Sequence, residues 1–275
     1  MNGGIIKKHK KFGKSRKTRP NILLTNDDGI TSPGLEALRL ALKKYGNLLV
    51  VAPSREMSAS SHSLTVHQPI LFHPHKFQDG TAGFAVDGTP ADCILLAIHH
   101  IMRGKKPDII FSGINRGENL GDDVTYSGTV SGAMEGTIYG IPSVAVSLAG
   151  GRRGDLDFAY AAKFAASLTP QVLDKGLPPG VFLNVNVPNI GTKGKINGIE
   201  VTRQGKRVYV NRVEMRTAPH GGRYCWVAGD VSFVDEDGTD FEAIKKGKIS
   251  ITPMHLDMTC HSHLEEFRKK WKWKV

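Results

Sequence analysis

The sequence of 275 residues has few cysteines and lacks a long apolar run, and both shortages narrow the class of protein. Its three cysteines, Cys93, Cys225 and Cys260, are an odd number and form no C-x-x-C pair. This argues against a disulfide framework and against a cysteine-ligated zinc site, so we interpret each cysteine as a reduced thiol that packs as a small apolar side chain. No run of 18 apolar residues occurs and no apolar signal segment is present, so we expect a cytoplasmic protein without a membrane partner.

Charge is unevenly distributed along the chain. There are 37 Lys and Arg residues against 26 Asp and Glu, a net charge of +11. Eight of the basic residues lie within residues 1–20, which contain no acid, so most of the excess belongs to this tail. Like charges with few large apolar side chains cannot form a core, and we expect the tail to be disordered. Its role has two open interpretations: contact with nucleic acid or an anionic membrane, and a solubilising extension or misassigned start codon.

Residues 21–275 alternate between apolar strands and amphipathic helices. The apolar runs 21–25 and 48–53 are continuous rather than alternating, which is typical of parallel strands that are covered on both faces. Helices are predicted at 33–45, 92–102, 127–139 and 158–168, and further strands at 107–111, 142–147 and 181–187. The pattern predicts an α/β fold with a Rossmann-like, doubly wound and mostly parallel sheet.

The pattern changes beyond about residue 195. Short β-like segments are predicted at 199–201, 208–213, 224–227 and 249–252, and an amphipathic helix at 261–273. We therefore divide the single domain 21–275 into a core of about 21–195 and a C-terminal β-rich arm with a terminal helix, about 196–275.

Polar loops follow three predicted strands, where a doubly wound sheet binds its ligands. They are residues 26–29, 53–61 and 112–123. The adjacent carboxylates Asp27 and Asp28 repel each other in a partly desolvated crevice, and a bound cation relieves that repulsion. With the Ser58 hydroxyl and the Asn115 amide oxygen they form the all-oxygen set that Mg²⁺ or Mn²⁺ prefers. Taken alone, the Asn-Asp-Asp-Gly motif is more often a simple turn.

The helix predicted from Ser127 begins with small residues. Ser127, Gly128 and Thr129 present hydroxyl groups and free backbone N–H groups at its N-terminus, which is a suitable site for a phosphate. The alternative is structural: Ser127 caps the helix, while Gly128, Gly132 and Gly136 let it pack closely against the sheet. We expect both, because close packing of the helix and the approach of a phosphate each require residues without bulky side chains.

Several longer motifs occur in a fixed order from residue 21 almost to the C-terminus. They are residues 22–29, 51–53 with Ser58, 88–93, 112–123, 126–129, 184–188 and 251–253. In this order they resemble the SurE survival-protein family of metal-dependent 5′/3′-nucleotidases. The resemblance implies hydrolysis of nucleoside monophosphates by a homodimer or homotetramer with a Rossmann-like core.

The resemblance also implies roles for individual residues. The implied metal site holds one divalent cation per subunit, Mg²⁺ or Mn²⁺, on Asp27, Asp28, Ser58 and Asn115. The implied catalytic residues are Asp27, Asp28 and Asn119, and the implied phosphate-binding residues are Ser127, Gly128 and Thr129. One departure is visible, because the family loop commonly reads Asp-Arg-x-x-Ser-Gly whereas residues 54–59 read Ser-Arg-Glu-Met-Ser-Ala.

Other functions remain as alternatives. They are a nucleotide-binding regulatory module without turnover, a broader phosphomonoesterase or exopolyphosphatase, and a nucleic-acid binder that works through the tail. A dinucleotide oxidoreductase is disfavoured because no G-x-G-x-x-G follows the first strand. For His255, His261 and His263 we favour a surface or helix-capping role over a metal or general-acid role.

Overall fold

A computed structural model describes residues 19–150, 155–191 and 194–273, so the predicted basic tail lies outside the described residues except at Arg19 and Pro20. The strands in these ranges are β1 (Asn21–Thr25), β2 (Asn47–Pro53), β3 (Phe72–Lys76), β4 (Ala82–Val86), β5 (Ile109–Arg116), β6 (Ser143–Ala149), β7 (Val181–Pro188), β8 (Ile199–Val201), β9 (Arg207–Thr217), β10 (Arg223–Phe233) and β11 (Ile249–His255).

The helices alternate with the strands of the first two thirds of the chain. They are α1 (Pro33–Leu42), α2 (Pro90–Leu96), α3 (Gly128–Ile138), α4 (Ala159–Lys175), α5 (Asp240–Lys245) and α6 (Leu264–Lys270). A π-helical turn at Ala97–Ile101 extends α2. The side chain of Thr89 accepts a hydrogen bond from the Asp92 N–H and that of Asp92 from the Thr89 N–H, a capping box that fixes the start of α2. In the described part of the chain, every helix is too short or too polar to span a lipid bilayer.

Nine strands form one sheet in the order β3-β4-β2-β1-β5-β6-β7-β11-β8. The strands from β4 to β7 are parallel, while β3 and β11 pair with β4 and β7 in the antiparallel sense. Side chains of β1 alternate between the two faces: Ile22 and Leu24 pack in the cluster that includes α1 and α4, and Leu23 packs in the cluster that includes α2. The prediction of an α/β fold with a mostly parallel sheet is confirmed.

The strands of the C-terminal part of the chain belong to two sheets. β11 pairs with β7 and β8 pairs with β11, so both strands extend the main sheet. β9 and β10 pair only with each other among the described strands and form a separate antiparallel ribbon. α6 has no buried residue. After the change of pattern near residue 195, the described strands β8 and β11 still extend the main sheet. The β9–β10 ribbon and α6 are not part of it.

The cysteines differ in burial, and one interpretation of them was wrong. Cys93, on α2, is buried, as expected, but Cys225 and Cys260 are exposed. Cys225 lies on the β9–β10 ribbon, which is separate from the main sheet, and Cys260 precedes an exposed helical turn at His261–His263.

Candidate functional site

The polar loops predicted from the sequence meet at the carboxyl ends of β1, β2 and β5. Asp27 and Asp28 follow β1, and Asn115 is the penultimate residue of β5. Residues 54–71 connect β2 to β3, and we call this segment the β2–β3 loop. The Met57 N–H donates to the Asp27 carbonyl oxygen at 2.7 Å, so the loop folds over the end of β1.

Asp28 already has a cationic partner. Its side chain is only 3% exposed and accepts hydrogen bonds from the backbone N–H and the Nε of Arg116, both at 3.1 Å. A second guanidinium nitrogen of Arg116 lies 3.1 Å from an oxygen of Glu56. Attraction to Asp28 raises the pKa of Arg116. Arg116 was not predicted from the sequence as a partner of the acid pair, although it directly follows Asn115.

Asp27 is less well compensated than Asp28. Its carboxylate is buried and accepts a short hydrogen bond from the Thr129 hydroxyl. Burial raises its pKa from the ordinary 3.8 to about 6, and repulsion from Asp28 adds to the shift. Hydrogen bonding by Thr129 opposes the shift without cancelling it. Asp27 is therefore a carboxylate that lacks positive charge.

The N-terminus of α3 lies directly against Asp27. The Ser127 side chain caps the helix by accepting from the Val130 N–H at 3.0 Å. A Cβ atom added at Gly128 would lie 2.8 Å from the Asp27 Cβ and 2.8 Å from the Ser60 Oγ, so glycine is needed for this approach. The Ser60 Oγ is buried and has no hydrogen-bond partner among the described residues. An unpaired buried hydroxyl beside a carboxylate and a helix N-terminus is suited to a ligand oxygen.

A cleft of about 290 Å³ opens beside the acid pair. Its walls include Asp28, Glu56, Ser58, Arg116 and Gly117. Of the four predicted metal ligands, Asp28 and Ser58 line this cleft, whereas Asp27 contacts Thr129. Asn115 is half-buried, and its amide nitrogen donates to the Gly117 carbonyl at 3.0 Å. Its amide oxygen is thereby the group left to act as a ligand.

Asn119 is held in a buried polar network and is not among the residues that line the cleft. Its amide nitrogen donates to the Ser147 Oγ at 2.8 Å, and its backbone N–H donates to the Asn186 side chain at 2.9 Å. Its carbonyl oxygen accepts from the amides of Asn184 and Asn186. The network ties Asn119 to β6 and β7, which explains the polar residues at buried positions of β7.

No group of three or more His, Cys, Asp and Glu side chains that could hold a metal is found in the described ranges. The predicted set has only two carboxylates, with one hydroxyl and one amide, so it is not a group of this kind. His255, His261 and His263 do not form such a group either. His261 pairs with the neighbouring Asp257, and His263 contacts Cys260.

A second cavity, of about 740 Å³, lies beside the residues that precede α3. Its walls combine polar and apolar side chains, including Ser61, His62, Ser127, Met134, Phe182 and Met254. Because Ser127 lines it, this cavity reaches the N-terminus of α3.

Comparison with known proteins gives consistent matches over most of the chain. The family model described as "Survival protein SurE" matches residues 22–211. The protein named 5′-nucleotidase SurE of Geobacter metallireducens is 49% identical over 91% of this chain and 96% of its own length, and that of Geobacter sulfurreducens is 50% identical over 89% of this chain and 91% of its own length. The crystal structure of the SurE protein from Aquifex aeolicus matches with a TM-score of 0.78 at 46% identity, covering 90% of this chain and 98% of that one.

Proposed function

Since the chain belongs to the SurE survival-protein family, we propose that it hydrolyses nucleoside monophosphates to nucleoside and phosphate as a 5′-nucleotidase. This reaction makes it a phosphoric monoester hydrolase. The observation in this chain that carries the proposal is the buried Asp27 carboxylate, whose pKa is raised to about 6 where it meets the N-terminus of α3. A carboxylate so short of positive charge at an anion-binding helix end suits a site that takes a cation and a phosphate together.

Nucleotidases of this family depend on a metal ion in general. We place one divalent cation per subunit, Mg²⁺ or Mn²⁺, on the oxygens of Asp27, Asp28, Ser58 and Asn115. The donor set supports this placement, because hard cations prefer oxygen ligands. The cation would also supply positive charge to Asp27, which forms no ion pair with a cationic side chain among the described residues. When bound, the ion supplies Lewis acidity toward a phosphate oxygen and lowers the pKa of a coordinated water.

The residues around this site have separate tasks in the proposal. Ser127, Gly128 and Thr129 hold the phosphate at the α3 N-terminus, where backbone N–H groups and the helix dipole favour negative charge. Asn119 has two amide N–H donors, and Ser147 occupies one of them, so the other is available to a phosphate oxygen. Arg116 holds Asp28 in place by its two hydrogen bonds.

Phosphate release tests the function directly. The panel contains AMP, GMP, CMP and UMP, a 3′-nucleotide and a short polyphosphate, each with chelator and then with Mg²⁺ or Mn²⁺ restored. The proposal expects release from nucleoside 5′-monophosphates that stops with chelator and returns with metal. A regulatory module would bind nucleotide without release, and equal release from polyphosphate would indicate the broader phosphatase.

The proposal includes the domain division, the assembly and the location of the enzyme. We propose that residues 21–275 form one nucleotidase domain and that the β9–β10 ribbon and α6 join two or four copies. Exposed aromatic side chains on these elements support this, among them Trp226 and the stacked pair Phe267 and Trp271. The mass in solution, measured for the full chain and for a Trp226→Ser variant, tests it. The unpaired exposed thiols Cys225 and Cys260 are consistent with the reducing cytoplasm that we propose as the location.

A further inference from the structure

A hydrogen bond outside the predicted site joins the β2–β3 loop to α3. The Nε2 of His62, on the loop, lies 2.7 Å from a carboxylate oxygen of Glu135, on α3. The Glu135 side chain is 6% exposed and the His62 side chain 27% exposed. In the described part of the chain, His62 is the side chain with which the Glu135 carboxylate pairs. Because a buried carboxylate without a partner is unfavourable, the pair constrains the loop strongly.

The loop adopts a strained backbone just before His62. Ala59 has φ of 55° and Ser61 has φ of 54°, the left-handed region that side chains with a Cβ disfavour. Such residues persist when surrounding contacts over-determine their conformation. The strain therefore indicates that contacts around residues 59–61 hold the loop in a form it would not adopt alone.

The strained segment carries two hydroxyl groups of the proposed site. Ser58 lines the cleft beside Asp28. The Ser60 Oγ lies on the other side of the segment, against the space above Gly128 and next to Asp27. A rotation of the segment by one residue would move both hydroxyls away from the acid pair.

Other contacts hold the loop to different elements. Ser61 donates from its backbone N–H to the Tyr126 carbonyl at 3.0 Å and from its hydroxyl to the Thr125 carbonyl at 2.7 Å. Thr65 donates twice to Asp92 at the start of α2. Among the described side-chain hydrogen bonds, the one between His62 and Glu135 joins the loop to α3. It acts about two turns beyond Gly128, on the same helix whose N-terminus takes the phosphate.

We propose that His62 is a positioning residue for phosphate hydrolysis: through Glu135 it fixes the β2–β3 loop on α3 so that Ser58 and Ser60 face the acid pair and the helix N-terminus. This inference rests on the proposed function. It adds Ser60, whose buried hydroxyl has no hydrogen-bond partner among the described residues, to the groups that would face a phosphate at the α3 N-terminus.

A double-mutant cycle tests the inference on the full chain. His62→Ala and Glu135→Ala are each expected to lower kcat for AMP by about 10- to 100-fold, since small misplacements of a catalytic group have effects of this size. The double variant is expected to be no worse than either single variant, because both changes break the same link. His62→Gln, whose amide N–H can still donate to Glu135, is expected to recover most of the loss. His67→Ala, an exposed histidine on the same loop, serves as the matched control and is expected to be unchanged.

A second measurement does not depend on turnover. The Mn²⁺ concentration that gives half of the maximal rise in Tm is expected to increase about 10-fold in His62→Ala and to stay unchanged in His67→Ala, because Ser58 is displaced. A His62→Ala variant with wild-type kcat and wild-type Mn²⁺ response would overturn the inference. So would a loss in His62→Ala that persists in the Glu135→Ala background, because His62 would then act on the substrate directly from the second cavity. A wild-type chain that releases no phosphate would contradict the proposed function, and the Mn²⁺ titration would still decide the role of His62.

Discussion

Arg39 and Asp27 are both buried charged side chains, but only Arg39 is surrounded by groups that compensate its charge. The guanidinium of Arg39, on α1, is matched on every side. It forms two hydrogen bonds of 2.7 Å with Glu36, one of 2.7 Å with Asp79 and one of 2.9 Å with Thr81, and it lies 4.5 Å from the centre of the Phe77 ring. Hydrogen bonding to Glu36 raises the pKa of Arg39, and Lys43 with Arg39 holds the pKa of Asp79 well below its usual range.

Asp27 lacks such matching, since burial raises its pKa and its neighbour Asp28 adds repulsion. A buried charge whose partners satisfy it is compatible with a stable fold, whereas an incompletely satisfied one raises the free energy of the folded state and persists where function requires it. The contrast indicates that Arg39 contributes to the stability of the fold and that Asp27 contributes to the reaction. Substitution of Asp27 should therefore lower activity without lowering stability, and substitution of Arg39 should lower stability without lowering the activity of the folded protein.

The largest expected effect is the loss of turnover in Asp27→Asn. We expect metal-dependent phosphate release to fall by at least about 10³-fold, because the variant removes charge at the point where a cation and a phosphate meet. The metal-free variant should be more stable than the wild type at pH 8, by up to about 3 kcal/mol, since the shift of the pKa from 3.8 to about 6 has that magnitude. Phosphate assays and urea unfolding measure the two quantities.

A matched control separates this effect from a general loss of acid groups. Asp174→Asn changes an exposed aspartate near the end of α4 and is expected to leave both turnover and stability unchanged. Retained turnover in Asp27→Asn would contradict the assignment of Asp27 to chemistry.

Arg39→Ala should do the opposite of Asp27→Asn. It removes a side chain that is 2% exposed, together with its hydrogen bonds to Glu36 and Asp79, and we expect the free energy of unfolding to fall by about 2–5 kcal/mol, as for other large buried side chains. The kcat of the folded fraction should remain that of the wild type. Lys43→Ala, which removes a half-exposed partner of Asp79, is the control and should lower stability by no more than about 1 kcal/mol. Equal losses in the two variants, measured by urea unfolding, would remove the distinction between buried and surface pairing.

The pH dependence of stability sharpens the comparison further. The pKa of Asp27 is higher in the folded than in the unfolded protein, so its contribution to stability is fully present below pH 3.8 and is lost as pH rises through about 6. In the metal-free protein, the free energy of unfolding of the wild type minus that of Asp27→Asn should therefore fall over this interval, by about 3 kcal/mol. A divalent cation favours the ionised carboxylate, so added Mn²⁺ should flatten the fall. A difference that does not vary with pH would mean that Asp27 is compensated in solution.

The sequence allowed prediction of the parallel strands but not of the sheet edge. Continuous apolar runs identified β1, β2, β5, β6 and β7 because these strands are covered on both faces. β3 and β4 were not predicted, since β3 contains Pro74 and mostly exposed residues and gives no clear apolar pattern. The α3 N-terminus and the acid pair were recognised from local motifs. Arg116 and the His62–Glu135 pair were not, because their partners lie far away in the sequence.

The smallest expected effect concerns the strained backbone beside the site. Ala59 and Arg103 both have a positive φ, at 55° and 50°, but Ala59 adjoins Ser58 whereas Arg103 lies in a turn after α2. Glycine relieves the strain at each position while it increases the freedom of the unfolded chain, so Ala59→Gly and Arg103→Gly should each raise the free energy of unfolding by about 0.5–1 kcal/mol. Thermal unfolding measures this gain.

The two glycine variants should differ in activity. Ala59→Gly loosens the segment that presents Ser58 and Ser60, so we expect its kcat for AMP to fall a few-fold, while Arg103→Gly should keep the wild-type value. Because both substitutions relieve the same kind of strain, the difference in kcat isolates what the rigid conformation of the β2–β3 loop contributes to catalysis. An equal kcat in the two variants would show that the strain at Ala59, like the buried charge of Arg39, belongs to the architecture of the fold.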